Sequence, residues 1–224
     1  MNLLVRRSPI GLDVGSRSIK AAQVTQEGGT RVTALSLVPR ARPGRDMDRE
    51  EVAGLRQVLR RQGFVGRNVV LAVPGERLLR GVLELPAGLT GTSVAQVARM
   101  ELARQHRVDP HSFEMVCWGL PEGKTQTVAV GCPHAAAHAL LDLFDGTGLN
   151  VQALDVAAAA AARACLDVCV PAPGITAILD LGWGSTRLLL VFVPTIPGSY
   201  THLRAHQTSE ELVFRLLHRN NNDN

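Results

Sequence analysis

Apolar and polar positions alternate along the first forty residues, which predicts strands at 9–14, 18–25 and 31–38. The period then lengthens to that of a helix over 47–64, and a continuous apolar strand follows at 68–75. The β-β-β-α-β order places this last strand in the parallel interior of a mixed sheet.

The helix predicted at 47–64 carries its own start signal and an apolar stripe. Asp48 is a suitable N-cap with Glu51 three residues on, and Val52, Leu55 and Leu59 recur at helical spacing. We therefore expect this helix to begin near Asp48 and to bury the three apolar side chains.

The middle of the chain predicts a small α+β unit. It has a strand at 77–86, a helix at 92–107, a hairpin of two strands at 112–120 and 125–132, and a helix at 133–148. In the first of these helices the inward positions are Val94, Val97, Ala98 and Leu102. The unit is expected to be inserted or appended, and not to be a repeat.

The remaining pattern predicts a strand at 149–156, an alanine-rich helix at 156–169, and two strands at 175–182 and 186–193. From residue 194 onward the sequence has no period that would continue the sheet. Residues 209–219 are compatible with an isolated helix. The segment 194–224 resembles an out-of-context tail that recurs at the ends of translated metagenomic fragments. We expect it to be foreign to the fold, with the natural protein continuing where this chain is truncated.

Composition favours a globular protein, because 46% of the residues are hydrophobic and 20% charged. Aromatic residues are only 4%, which argues against a nucleic-acid partner. The first 74 residues carry a net charge of +7, which fits a phosphate ligand or an anionic membrane surface, and equally fits arginine-rich codon usage. No apolar run approaches the roughly 20 residues of a spanning helix, so we expect a cytoplasmic protein without a transmembrane segment of its own.

The most informative stretch is IGLDVGSRSIK at 10–20, an apolar strand that runs into Asp13 and a small-residue turn. Gly15 allows close approach of the backbone, and the amides and hydroxyls of the turn are suitable donors to phosphate oxygens. Lys20 is a point charge suited to phosphate, and Asp13 is suited to hold Mg²⁺ through water. An ordinary surface hairpin remains the alternative for this stretch taken alone.

A second copy of the pattern occurs in ILDLGWGSTRLLLV at 178–191, with Asp180 in the place of Asp13 and Gly182 in the place of Gly15. Two strand-Asp-x-Gly-turn-strand hairpins suggest two related halves that face one nucleotide. A Gly-x-x-x-x-Gly-Lys-Ser/Thr loop is absent from the sequence, which excludes a P-loop protein.

GLDVGSRSIK and LDLGWGST resemble the two phosphate motifs of the superfamily of actin, sugar kinases and Hsp70. The stretch from NVVLAVPGERLLRGVLELP to the alanine-rich helix resembles the PilM family, the actin-like proteins of type IV pilus assembly. The resemblance covers about 1–193. It implies an α/β fold, with an actin-like (ribonuclease-H-like) first lobe built on a mixed sheet, a small inserted α+β subdomain, and only the start of the second lobe.

The resemblance also implies a domain division and a ligand. The first lobe is expected at 1–76 and 149–174, the small subdomain at 77–148, the second lobe from 175 to 193 and the foreign tail at 194–224. ATP with Mg²⁺ is the implied ligand, with little or no hydrolysis. Its expected contacts are Asp13, Gly15, Ser16, Arg17, Ser18, Lys20, Asp180, Gly182, Gly184, Ser185 and Thr186, with Mg²⁺ expected at Asp13, through water, and at Asp180.

The implied role is a scaffold, peripheral at the inner membrane, that binds the cytoplasmic N-terminal peptide of a bitopic, PilN-like partner. The peptide is expected between the first lobe and the small subdomain. Two alternatives stay open. One is a type II secretion platform protein of the GspL kind, and the other is a sugar or metabolite kinase of the same superfamily, which would need a carboxylate base at its substrate hydroxyl.

Overall fold

The computed structural model describes residues 7–26, 29–119, 125–165, 174–183, 186–193, 200–207 and 210–217. Backbone contacts divide the chain into two compact units, one formed by residues 1–75 with 135–157 and the other by 76–134 with 158–224. The domain ranges expected from the sequence stay a prediction, and helix 134–142 falls almost wholly in the first unit.

The first unit is built on a five-stranded mixed sheet in the order β3-β2-β1-β4-β8. The first three strands pair antiparallel, whereas β4 pairs parallel with both β1 and β8, as the apolar character of β4 predicted. The strands are β1 Ile10–Val14, β2 Ser18–Thr25, β3 Arg31–Pro39, β4 Asn68–Val73 and β8 Asn150–Val156.

Two helices belong mainly to this unit, α1 Arg49–Arg61 and α3 His134–Asp142. The predicted stripe of α1 is confirmed, because Val52, Leu55 and Leu59 are all buried. Asp48 caps the helix by accepting the amide of Glu51 at 2.9 Å. The carboxylate of Glu51 does not return to the cap, as a capping box would require, but pairs with Arg40.

In the second unit the predicted strand and the predicted hairpin join in a three-stranded antiparallel sheet, in the order β5-β7-β6, with one helix against it. These elements are β5 Leu79–Glu84, α2 Thr92–His106, β6 Phe113–Gly119 and β7 Gln126–Pro133. Their shared core holds Leu83, Leu85, Ala98, Leu102, Ala103, Phe113 and Ala129, with Val94 and Val97 partly buried beside it. Burial of each large side chain stabilises the unit by about 1.5–3 kcal/mol.

The second unit also holds helix α4 Ala157–Cys165, all but its first residue, and a four-stranded antiparallel sheet in the order β12-β11-β10-β9. Its strands are β9 Gly174–Leu181, β10 Thr186–Val193, β11 Tyr200–Gln207 and β12 Glu210–Leu217.

The isolated helix considered for 209–219 is wrong, because β12 occupies this stretch and β11 continues the sheet from β10. The sequence of β11 alternates polar His202, Arg204 and His206 with Leu203 and Ala205, which is the period of a strand. Pairing with β11 satisfies the backbone groups that the edge of β10 would otherwise present.

Candidate functional site

The first hairpin of the sequence motif is formed by β1 and β2. Asp13 lies directly opposite Lys20 in its antiparallel ladder, and Val14 lies opposite Ile19. The Nζ of Lys20 is 3.2 Å from Oδ2 of Asp13, and the two side chains are 52% and 41% exposed. An ion pair this exposed contributes little to stability, so both charges are accessible to a ligand.

The turn that joins these strands is tight at Gly15. The Gly15 amide donates to the carbonyl of Ser18 at 3.0 Å. A Cβ at Gly15 would lie 3.1 Å from that carbonyl oxygen, closer than side-chain carbons ordinarily approach. A glycine at this position therefore allows the two ends of the turn to lie close together. Within the turn, Ser16 and Ser18 are half-buried and Arg17 is exposed.

Three consecutive carbonyls of the turn are bound by residues 40–44. Nη1 of Arg40 donates to the Gly15 carbonyl at 3.3 Å, and the Arg40 amide donates to that of Arg17 at 2.8 Å. The Gly44 amide donates to the Ser16 carbonyl at 2.8 Å.

This arrangement fixes the direction of the amides of the turn. In a trans peptide the N–H of one residue points opposite to the carbonyl of the residue before it, and the described chain contains no cis peptide. The N–H groups of Ser16, Arg17 and Ser18 therefore point away from the 40–44 segment. Successive amides presented together form an anion-binding concavity.

The second hairpin, formed by β9 and β10, repeats the register of the first. Asp180 lies opposite Arg187, and Leu181 lies opposite Thr186. Nη1 of Arg187 is 3.4 Å from Oδ2 of Asp180, with side chains 23% and 34% exposed. Each aspartate thus faces a cation seven residues later, directly across its own ladder.

The predicted residues of the second turn are only partly described. Gly182 and Thr186 are exposed at its two ends, and Trp183 is 76% exposed. Gly184 and Ser185 lie outside the described residues. The two hairpins belong to different compact units, Asp13 to the first and Asp180 to the second.

Two contributors were missed by the sequence reasoning. Arg187 occupies the position in its hairpin that Lys20 occupies in the first, and an alignment of the two motifs would have found it. Arg40 supports the turn from the end of β3, and nothing local in the sequence points to this role, because its contact with Gly15 spans 25 residues.

The donor set of the first hairpin fits a phosphate group with a bound cation. Three amides, two hydroxyls and Lys20 supply donors, while Asp13 is an exposed oxygen ligand of the kind that Mg²⁺ takes directly or through water.

Within the part of the chain that the structure describes, no helix has the length and apolar character needed to cross a membrane.

No protein-family model matches the sequence, and no curated protein matches it either. Among solved structures, the chain is similar to the PilM–PilN type IV pilus biogenesis complex, with a TM-score of 0.66 and 21% identity. That match covers 93% of this chain and 61% of the other, so the chain spans less than two thirds of that protein's length.

A second similar structure is the cytoplasmic domain of EpsL, an inner membrane component of the type II secretion system of Vibrio cholerae. Its TM-score is 0.52 at 16% identity, over 93% of this chain and 71% of that domain. These likenesses confirm the expected actin-like α/β fold and the resemblance to PilM in fold.

Proposed function

We propose that this chain is the nucleotide-binding part of an actin-like scaffold in the inner-membrane platform of type IV pilus assembly. The observation that carries the proposal is the geometry of the first hairpin, which contains Lys20 and whose turn amides point away from residues 40–44. The fold in which this hairpin occurs is similar to that of PilM. We place the protein in the cytoplasm, peripheral at the inner membrane.

The ligand of this scaffold would be ATP with Mg²⁺. The amides and hydroxyls of Ser16 and Ser18, the Arg17 amide and Lys20 would hold phosphate oxygens, and Asp13 would hold Mg²⁺ through water. When bound, ATP would supply a negatively charged polyphosphate whose oxygens pair with Lys20 and accept hydrogen bonds from the amides and hydroxyls of the turn. Asp180, Gly182 and Thr186 of the second hairpin, with Gly184 and Ser185, which lie outside the described residues, stay phosphate contacts predicted from the sequence motif.

Nucleotide binding is tested by titrating ATP with Mg²⁺ into the 224-residue chain by isothermal calorimetry. Lys20→Met is expected to weaken binding roughly 10- to 100-fold, because a charge-assisted hydrogen bond is worth about 1.5–3 kcal/mol. Arg31→Met is the matched control, since Arg31 is an exposed cation on the neighbouring edge of the same sheet. Absence of saturable binding to the unaltered chain would reject the proposal.

The scaffold would also bind a peptide from the cytoplasmic end of a membrane partner. PilN accompanies PilM in the similar complex. In this chain Val82 of β5 and Val116 of β6 leave apolar side chains exposed on the three-stranded sheet, which suits a peptide with an apolar anchor.

Partner binding is tested by titrating synthetic N-terminal peptides of PilN-like proteins into ¹⁵N-labelled protein. We expect chemical-shift changes within 77–148 that Val116→Asp reduces. Unchanged shifts across 77–148 would reject this part of the proposal.

A type II secretion platform is the second candidate, favoured by the likeness to the EpsL cytoplasmic domain. The same titration discriminates the two, because peptides from type II secretion partners would then bind in preference to PilN-like peptides. Turnover of a panel of sugars with ATP would instead favour the kinase alternative.

A further inference from the structure

We infer that Arg40 is a positioning residue for the phosphate turn, held in place by Glu51. The Arg40 side chain would not touch the ligand; it would act through the carbonyl of Gly15. The inference rests on the proposed nucleotide binding and assigns to that site a residue that lies outside its sequence motif.

The guanidinium of Arg40 is fixed by a two-point pair with Glu51. Its Nε is 3.1 Å from Oε1 and its Nη2 is 2.9 Å from Oε2 of that carboxylate. The side chains are only 4% and 10% exposed. This fork geometry leaves Nη1 directed at the Gly15 carbonyl, 3.3 Å away.

Glu51 is itself held from two sides, so the pair is a rigid support. It lies in the first turn of α1, where its amide donates to Asp48, and its Oε1 also accepts the amide of Ala41 at 3.2 Å. The start of α1 and the end of β3 are thereby joined directly behind the turn.

The consequence for the site follows from peptide geometry. With the Gly15 carbonyl bound to the Arg40 side chain, the amide of Ser16 in the same peptide unit must point to the opposite side. Without the Arg40 guanidinium this peptide unit loses its fixed direction, and an anion would have to order it on binding. The bond from the backbone amide of residue 40 to the Arg17 carbonyl does not depend on the side chain. Preorganised donors bind an anion more tightly than donors that must be ordered first.

Lysine cannot reproduce this role, because an ammonium has no planar fork to engage Glu51 while a further nitrogen reaches Gly15. Arg40→Lys therefore keeps the charge and removes the geometry. A second variant, Arg40→Met with Glu51→Met, removes both members of the buried pair, which preserves the fold better than removal of one member.

The matched control is Arg42→Met. Arg42 lies two residues on and pairs with Asp48 at 2.5 Å and with Glu50 at 3.7 Å, and its side chain is 56% exposed. It is an arginine of the same segment whose ion pairs also reach the start of α1, but among the described residues no hydrogen bond joins its side chain to the turn at 15–18.

Calorimetric titration of each folded variant with ATP and Mg²⁺, and separately with pyrophosphate, tests the inference. We expect at least tenfold weaker binding for Arg40→Lys and for the double variant, and unaltered binding for Arg42→Met. In the ligand-free protein, the ¹H–¹⁵N shift of Ser16, whose peptide unit carries the Gly15 carbonyl, should move in both Arg40 variants and not in the control.

The outcomes are distinguishable. Wild-type affinity with unmoved turn amides in both Arg40 variants would overturn the inference and leave nucleotide binding intact. If the unaltered chain binds neither probe, the proposed function fails and the positioning role fails with it. A purely structural residue would lower the melting temperature without changing affinity at a temperature where the variant is folded, and that result would also overturn the inference.

Discussion

Arg187 lies directly across the β9–β10 ladder from Asp180, in the same relation that Lys20 has to Asp13 in the β1–β2 ladder. The atoms are 3.4 Å apart in the second pair and 3.2 Å apart in the first. Each hairpin therefore brings one carboxylate and one cation to the strand positions that flank its turn. A carboxylate repels phosphate but attracts a divalent ion. Substitution of each aspartate therefore tests the role of Mg²⁺.

Asp13→Asn is expected to remove most of the Mg²⁺ dependence of ATP binding while leaving Mg²⁺-free ATP bound as well as before or better. The reason is that the carboxylate contributes only through the cation and otherwise repels the phosphates. Calorimetry with and without Mg²⁺ measures both quantities, and Asp180→Asn provides the matched change in the second hairpin. If Asp13→Asn lowered the affinity for ATP by the same factor with and without Mg²⁺, this result would contradict a metal-holding role of Asp13.

Gly15→Ala should weaken phosphate binding and cost about 1 kcal/mol of stability, because the new Cβ would lie 3.1 Å from the Ser18 carbonyl oxygen and would push the turn open. Gly54→Ala is the control, since Gly54 is an exposed position within α1 with open space around its Cβ. That change should stabilise the protein by about 0.5–1 kcal/mol. Urea denaturation gives both values, and a stabilising Gly15→Ala would show that the turn is not tight.

The Arg40–Glu51 pair predicts a strongly non-additive double-mutant cycle in stability. Removal of either partner alone should cost about 3–5 kcal/mol, because the other charge is then buried without a partner. The Met–Met double variant should recover most of that loss. Urea denaturation of the four proteins measures the cycle, and additive single effects would mean that the pair is not buried in solution.

Gly131→Ala tests the packing of the small sheet beneath α2. Its Cβ would lie 2.8 Å from Cδ2 of Phe113 and 3.3 Å from Cδ2 of Leu102, so overpacking should cost about 1–3 kcal/mol. Phe113→Leu in the same protein should restore part of the loss. Gly119→Ala on the neighbouring strand has its nearest atom 3.9 Å away and should change the free energy of unfolding by less than about 0.5 kcal/mol.

We predict that the hydrogen bonds of the Glu84 carboxylate, which join β5 to the start of β7, are sensitive to acid. Hydrogen bonds from Gln126 and then from Thr125 lower the pKa of its carboxyl below the ordinary range. As pH falls, the unfolded chain therefore takes up a proton at Glu84 before the folded chain does. The stabilisation of the fold by the Glu84 carboxylate is fully present above the unfolded pKa of about 4.3. It is lost as pH falls through the lower pKa of the folded state.

This dependence is measured as the stability of wild type and Glu84→Gln between pH 6 and pH 2. The difference between the two proteins should shrink toward low pH. A difference that stays constant over this range would show that the carboxyl is not bonded across the sheet.

Most of the secondary structure was predictable because the apolar period changes clearly along the chain. The stripe of α1, the parallel position of β4 and the order of the α+β unit all follow from local patterns and are confirmed. At the end of the chain, the alternation within β11 was overlooked, and β12 was not predictable from its own pattern. β12 forms as a strand because it pairs with β11, and no periodicity within 209–219 revealed that pairing.

The sequence by itself determined the chemistry of the candidate site, because Asp13, the Gly-Ser-Arg-Ser turn and Lys20 are close along the chain and their strand spacing places them together. Only the tertiary structure decided which way that turn presents its amides. The carbonyls of the turn are bound by Arg40 and Gly44, and Arg40 is fixed by Glu51 at the start of a helix. Such direction depends on contacts between residues distant in sequence, and hydrophobic periodicity carries no information about them.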